Sequence, residues 1–268
     1  MIKKLITKIR HRIKYYKKLI KQYSNEDTVF IYQMGKVGST SLESSIKNAV
    51  HVHAFFLKNH TCPVRLKGLS KFGVKHFFYR AEQELLSFLL RRAFKQRSHT
   101  KIITLVREPQ ARNISMFFHD LDAYLYAAHT NCLNTRKSPL PTRSQSADIL
   151  MDIFSHEFNH NYPLNWFDNE FLPMTGINIY SQLFDKEAGY SVIEKGKTTV
   201  LCIRTDKLAN CTEQLELFIG DNVELKYENK AQGKWYQPVY QEFKCSYKSP
   251  SDLLIKQKNS QFYKHFFD

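Results

Sequence analysis

Two short segments carry residues whose types and spacing could do chemistry. The first is Gln33-Met34-Gly35-Lys36-Val37-Gly38-Ser39-Thr40-Ser41, which follows the apolar, β-branched run Val29-Phe30-Ile31-Tyr32. Gly35 and Gly38 let a backbone approach an anion closely, Lys36 supplies a full positive charge, and Ser39, Thr40 and Ser41 offer hydroxyl donors and a helix cap. A helix starting there would add unpaired N–H groups and a favourable dipole. The segment reads as a cradle for a phosphate-type group. The second segment is Val106-Arg107-Glu108-Pro109-Gln110-Ala111-Arg112-Asn113-Ile114-Ser115, which closes the apolar run KIITLV at 101–106. Ser115 lies eight residues after Arg107, about two helical turns on and on the same face. A guanidinium fork and a hydroxyl then point to one place, a pairing suited to a phosphate monoester.

Each segment alone has an ordinary reading. The first could be a serine-capped turn, and Arg107 could pair with Glu108 or Asp120. The first segment is also not a magnesium-nucleotide loop of the G-x-x-x-x-G-K-[ST] type, because Lys36 precedes Gly38 and no lysine follows that glycine. A cradle without that spelling points to a different phosphate-bearing ligand.

Taken jointly, the two segments resemble the sulfotransferases that use 3′-phosphoadenosine 5′-phosphosulfate. QMGKVGSTSL and REPQARNISMFF are most similar to the bacterial branch labelled capsular polysaccharide synthesis proteins, with PLNWFDNE at 163–170 and the late Asn229, Lys230, Lys234, Tyr240 region adding to the likeness. The resemblance runs from about residue 28 to the C-terminus and leaves out residues 1–23. It implies a P-loop-like sulfotransferase fold. It implies that Gly35, Lys36, Gly38, Ser39, Thr40 and Ser41 hold the 5′-phosphosulfate, that Lys36 stabilises charge on the bridging oxygen, and that Arg107 and Ser115 clamp the 3′-phosphate. Lys230 or Lys234 would close over the nucleotide. Transfer would be in line, with no metal, onto a hydroxyl of a capsular or surface glycan or glycolipid. The acceptor's base is the most open assignment. His53 is the first choice, because a His-x-His pair after the cradle helix is similar to that of glycan 2-O-sulfotransferases. His51 is its nearest rival, Glu170 and His119 stay open, and a histidine merely hydrogen-bonded near the core is an equal alternative for His53. Two other functions compete: a nucleotide-dependent kinase with a degenerate loop, and a non-catalytic basic protein that binds anionic glycan or lipid.

These residues need elements to hold them. At 268 residues one core of ordinary size is expected. Apolar runs at 29–32, 101–106 and 198–203 separated by helical patterns indicate an α/β fold with an open, mostly parallel sheet flanked by helices. Ligands bind such sheets beyond the C-terminal ends of the strands, where Lys36 and Arg107 fall. In order, the pattern predicts helix 40–48, a strand through Ala49–Phe56 carrying His51 and His53 on one face, and a stretch at 57–79 broken by Pro63, Gly68 and Gly73. Helices follow at 80–96 and from Ala111 to Leu125, then a loop at 129–143 and a helix at 146–158. Residues 160–190 read as an irregular aromatic excursion over the sheet. A helix at 206–218 ends at Gly220, and further helices occupy the chain from Tyr227.

The formal charge of +15 is uneven, since residues 1–23 hold nine Lys/Arg and no acid. Their apolar residues recur at three- and four-residue steps, as on a one-sided helix. We take 1–25 as a basic amphipathic extension and 26–268 as the α/β domain. The extension could lie on anionic lipid, form a coiled coil or pack on its own domain. No nucleic-acid partner is expected. Five scattered cysteines without C-x-x-C spacing argue against a disulfide framework or a zinc knuckle. No run approaches the roughly 18 apolar residues of a membrane span, and the N-terminus lacks a secretion signal. The expectation is a cytoplasmic protein, with attachment to the inner face of the membrane through residues 1–23 as one option.

Overall fold

A computed structural model describes residues 2–56, 73–125, 143–225 and 233–268. The loop expected at 129–143 and the positions of Asn229 and Lys230 lie outside the described residues, apart from Arg143, which begins a helix. Five strands form one sheet: β1 (Val29–Tyr32), β2 (Ala49–Val52), β3 (Thr100–Val106), β4 (Tyr190–Lys195) and β5 (Thr198–Arg204), in the order β2-β1-β3-β5-β4. The first four in that order run parallel, and β4 joins β5 antiparallel at the edge. All four residues of β1 are buried, as a strand covered by helices on both faces requires. β4 is largely solvent-exposed. Its polar residues and the two-residue turn after it hid it within a stretch that the sequence left unassigned.

Around the sheet lie α1 (Ile2–Ser24), α2 (Ser39–Ser45), α3 (Gly73–Lys95), α4 (Pro109–His119) and α5 (Arg143–Glu157). Three differences from the expected elements matter. First, β2 ends at Val52, so His53 lies just past the strand rather than within it. Second, α4 stops at His119. Its capping Asp120 returns its N–H to the carbonyls of Met116 and Phe117, and one further helical turn follows at 121–125. Third, the expected irregular excursion is helical over Tyr162–Thr175, interrupted by a π-type turn at Phe167–Phe171. That wider turn allows Trp166, Phe167, Glu170 and Phe171 all to face inward.

Two packed regions hold the site-bearing elements still. The larger joins the strands to Trp166, Phe167, Phe171, Phe262 and Phe266. The smaller is an aromatic block in which Phe117 and Phe118 of α4 meet Phe154 and Phe158 of the α5 region and Phe243 of the C-terminal helix Gln237–Ser246. At the start of β1, buried Arg97 donates to the carbonyls of Tyr23, Asn25, Glu26 and Thr28 and sits over the Phe30 ring. That guanidinium fixes where α1 leaves the body.

Candidate functional site

The sheet delivers both segments to the same edge. Gln33 continues β1 past its last ladder pair: its N–H donates to Val52 O at 3.0 Å, and its Oε1 accepts from Leu105 N at 3.1 Å. The chain then turns sharply, with Lys36 at φ 72° and Gly38 at φ 95°. A left-handed lysine is strained, so the fold must hold it there. Thr205, just after β5, does part of this. Its hydroxyl lies 2.7 Å from Val37 O and 3.0 Å from Val106 O, sharing one proton between them. α2 spans only seven residues, so its dipole adds little and the anion attraction rests on side-chain cations.

Those cations converge. Arg107 Nη1 donates to Lys36 O at 3.0 Å, and Arg112 Nε donates to Gly35 O at 2.9 Å. Arg112 is fully buried, lies 4.7 Å over the Tyr162 ring, and donates through Nη1 to Asn113 Oδ1 at 3.0 Å. Its Nη2 is buried with no hydrogen-bond partner. Sequence reasoning passed over Arg112. The available signal was an arginine on the apolar face of α4, one turn before Met116. Burial lowers Lys36 to about 8, with Lys234 acting in the same direction and Asp120 opposing. Burial likewise lowers Arg112 to about 10, and Arg107 shifts down for the same first reason while Tyr240 and Glu108 oppose. Positive groups crowded against one loop in a partly dry setting are costly without an anion.

His53 stands beside this loop. A β-carbon added at Gly35 would lie 3.9 Å from His53 Cε1 and 3.8 Å from Met116 Sδ. His53 Nδ1 is 3.3 Å from Gln33 O. A carbonyl can only accept, so Nδ1 carries the proton and Nε2 keeps its lone pair. Although part of the ring is open to water, burial of the rest, followed by the neighbouring His51, lowers His53 to about 4. The two imidazoles are 4.2 Å apart between centroids. His51 Nδ1 lies 3.3 Å from Glu43 Oε2, and burial lowers it too to about 4, so at pH 7 an uncharged imidazole, not an imidazolium, meets the Glu43 carboxylate. His51 Nε2 is buried and unpartnered.

The other expected residues fall as follows. Ser115 is half-buried on α4, one turn beyond Arg112, and Ser41 is half-buried in α2. The hydroxyls of Ser39 and Thr40, like Lys230, lie outside the described groups. Lys234 reaches Lys36 electrostatically and lies 5.5 Å from the Tyr236 ring centroid. His119 is exposed at the end of α4. Glu170 is wholly buried and spent on structure. Its carboxylate accepts from Tyr32 OH at 2.8 Å, from Phe56 N at 3.3 Å and from Phe55 N.

Residues 142–268 match one family model. Its description is "NKWYS: Putative capsular polysaccharide synthesis protein", and the match covers a little under half of the chain. It takes in Lys234 and the π-type turn but not the loop at 33–41, His53 or Arg107–Ser115. No curated protein and no solved structure matches the chain. Among the described residues, no helix is long and apolar enough to cross a membrane, and no cluster of His, Cys, Asp and Glu suits a metal ion.

Proposed function

We propose that this chain is a sulfotransferase that moves a sulfuryl group from 3′-phosphoadenosine 5′-phosphosulfate to a hydroxyl of a capsular or surface glycan. The observation that carries the reading is the meeting of Arg107 and Arg112 with the carbonyls of Lys36 and Gly35, which gathers cations at the ends of β1 and β3. The unpartnered Arg112 Nη2 and the half-buried Lys36 suit a ligand with several anionic groups. The glycan side of the proposal rests on the family description matched by residues 142–268.

In this reading the backbone at 35–41 and Lys36 hold the 5′-phosphosulfate, and Arg107 with Ser115 holds the 3′-phosphate. The acceptor oxygen bonds to sulfur as the bond from sulfur to the 5′-phosphate oxygen breaks. Lys36 neutralises charge on that leaving oxygen, and His53 Nε2 takes the acceptor's proton. Adenosine 3′,5′-bisphosphate leaves. Positioning and fixed charge carry most of the acceleration, as in phosphoryl transfer.

Calorimetry with adenosine 3′,5′-bisphosphate tests this directly. Wild-type protein is expected to bind it more tightly than ADP or magnesium ATP. Arg107→Ala should weaken it by about 2 kcal/mol through loss of a charge-assisted pair. Preference for magnesium ATP would favour a kinase, and no binding of any nucleotide would overturn the enzymatic reading.

A further inference from the structure

Over Tyr16 to Tyr23 the apolar stripe of α1 is already used by the protein itself. Tyr23 is buried in the main core, Leu19 and Ile20 pack against it, and Tyr16 OH donates to Glu82 of α3 at 2.6 Å beside an Arg12–Glu82 ion pair at 3.1 Å. An interfacial helix inserts its apolar face into lipid, and from Tyr16 to Tyr23 α1 has little left to insert, although Ile13 just before them is 48% exposed. What it presents instead is charge: Arg10, Lys14, Lys17, Lys18 and Lys21 are all exposed.

The missing apolar face lies on the neighbouring helix. On α3, Phe77, Phe78, Leu85 and Phe88 are 68%, 67%, 60% and 52% exposed. Their spacing of i, i+1, i+8 and i+11 puts them on one stripe. Glu82, the α1 contact, is four residues after Phe78 and three before Leu85, so the stripe runs alongside the seam between the helices. Four large exposed hydrophobics on one helix face mark an interaction surface rather than scattered surface chance. The opposite side of α3 is occupied by Leu90, Ala93 and Phe94 in the core.

We propose that α1 and α3 together form a docking surface for an anionic lipid bilayer, α1 supplying the cations and α3 the inserting aromatics. The occupant follows from charge complementarity. Residues 1–23 carry nine Lys/Arg and no acid, and a sheet of anionic headgroups satisfies such a face beside an apolar stripe. A second copy of this chain would bring like charge against like. Each lysine near an anionic surface strengthens binding several-fold, so the surface is strong only when lipid and stripe act together. The inference does not rest on the sulfotransferase reading.

The test uses the full chain and vesicles of phosphatidylcholine with or without about one-third phosphatidylglycerol. Sedimentation should show binding only to the anionic vesicles, weakened by salt. The quadruple variant K14Q/K17Q/K18Q/K21Q should lower partitioning by roughly a hundredfold, and Phe77→Ser with Phe88→Ser should lower it by roughly tenfold or more. These side chains are exposed, so the variants should keep the wild-type melting curve. Phe77→Trp should show a blue-shifted emission on adding anionic vesicles, whereas Trp at the exposed, remote Leu183 should not. Failure of the wild type to pellet, equal pelleting with neutral vesicles, or a wild-type dimer in solution abolished by the Phe77 and Phe88 changes would each overturn the proposal.

Discussion

At the scale of single residues, Lys36 and His53 show how one environment prepares opposite roles. Partial burial favours the neutral form of each, lowering Lys36 to about 8 and His53 to about 4. Lys36 still carries its charge at neutral pH, where it can meet an anion, while His53 is an uncharged base. The Gln33 carbonyl fixes which nitrogen is free. If His53 takes the acceptor's proton, His53→Ala should leave the affinity for adenosine 3′,5′-bisphosphate within twofold and lower sulfuryl transfer by about a hundredfold. Calorimetry and a radiolabelled transfer assay read the two quantities separately. Transfer at the wild-type rate would remove His53 from the mechanism and return attention to His51.

At the scale of elements, the turn between β1 and α2 is held rather than intrinsically stable. Gly38 sits at φ 95°, and a β-carbon there would come within 3.1 Å of Thr205 Cγ2. Gly38→Ala should therefore cost about 1–3 kcal/mol from the left-handed backbone alone, seen as a lowered urea midpoint, with nucleotide binding weakened in the fraction that remains folded. An unchanged midpoint would mean that the loop relaxes freely and that Thr205 does not brace it. The glycines, Lys36 and Arg107 were legible in the sequence because they break strong apolar runs, and such runs fix where a parallel strand ends. Thr205, Gln33 and Arg112 were not legible, since each acts across strands distant in sequence. Glu170 shows the same limit from the other side. The family resemblance left Glu170 open as a base, yet the π-type turn points it inward, where the Tyr32 hydroxyl and the backbone N–H groups of Phe55 and Phe56 all donate to its Oε1. The early end of β2 at Val52 and the edge strand β4 escaped because alternation in a few residues does not mark where hydrogen bonding starts or stops.

At the scale of the whole molecule, two features set how stability depends on pH. The cations gathered at the candidate site repel one another, and several histidines are held neutral by burial, with His51, His53, His160 and His265 all shifted down. For His51 the sign follows from proton counting. Between about 4 in the folded chain and 6.5 in the unfolded chain, the unfolded state binds more protons, so stability falls as pH drops through that window and is unaffected by this group above it. By pH 5 one such histidine withdraws about 2 kcal/mol relative to pH 7. Thermal unfolding should therefore show a midpoint several degrees lower at pH 5 than at pH 7. His51→Asn, which keeps a polar group without a titrating one, should recover part of that loss while leaving the pH 7 midpoint lower or unchanged. A wild-type midpoint that stays level from pH 7 to pH 5 would mean that the imidazoles at 51 and 53 accept protons in the folded chain, and the neutral-base role assigned to His53 would then have no physical support.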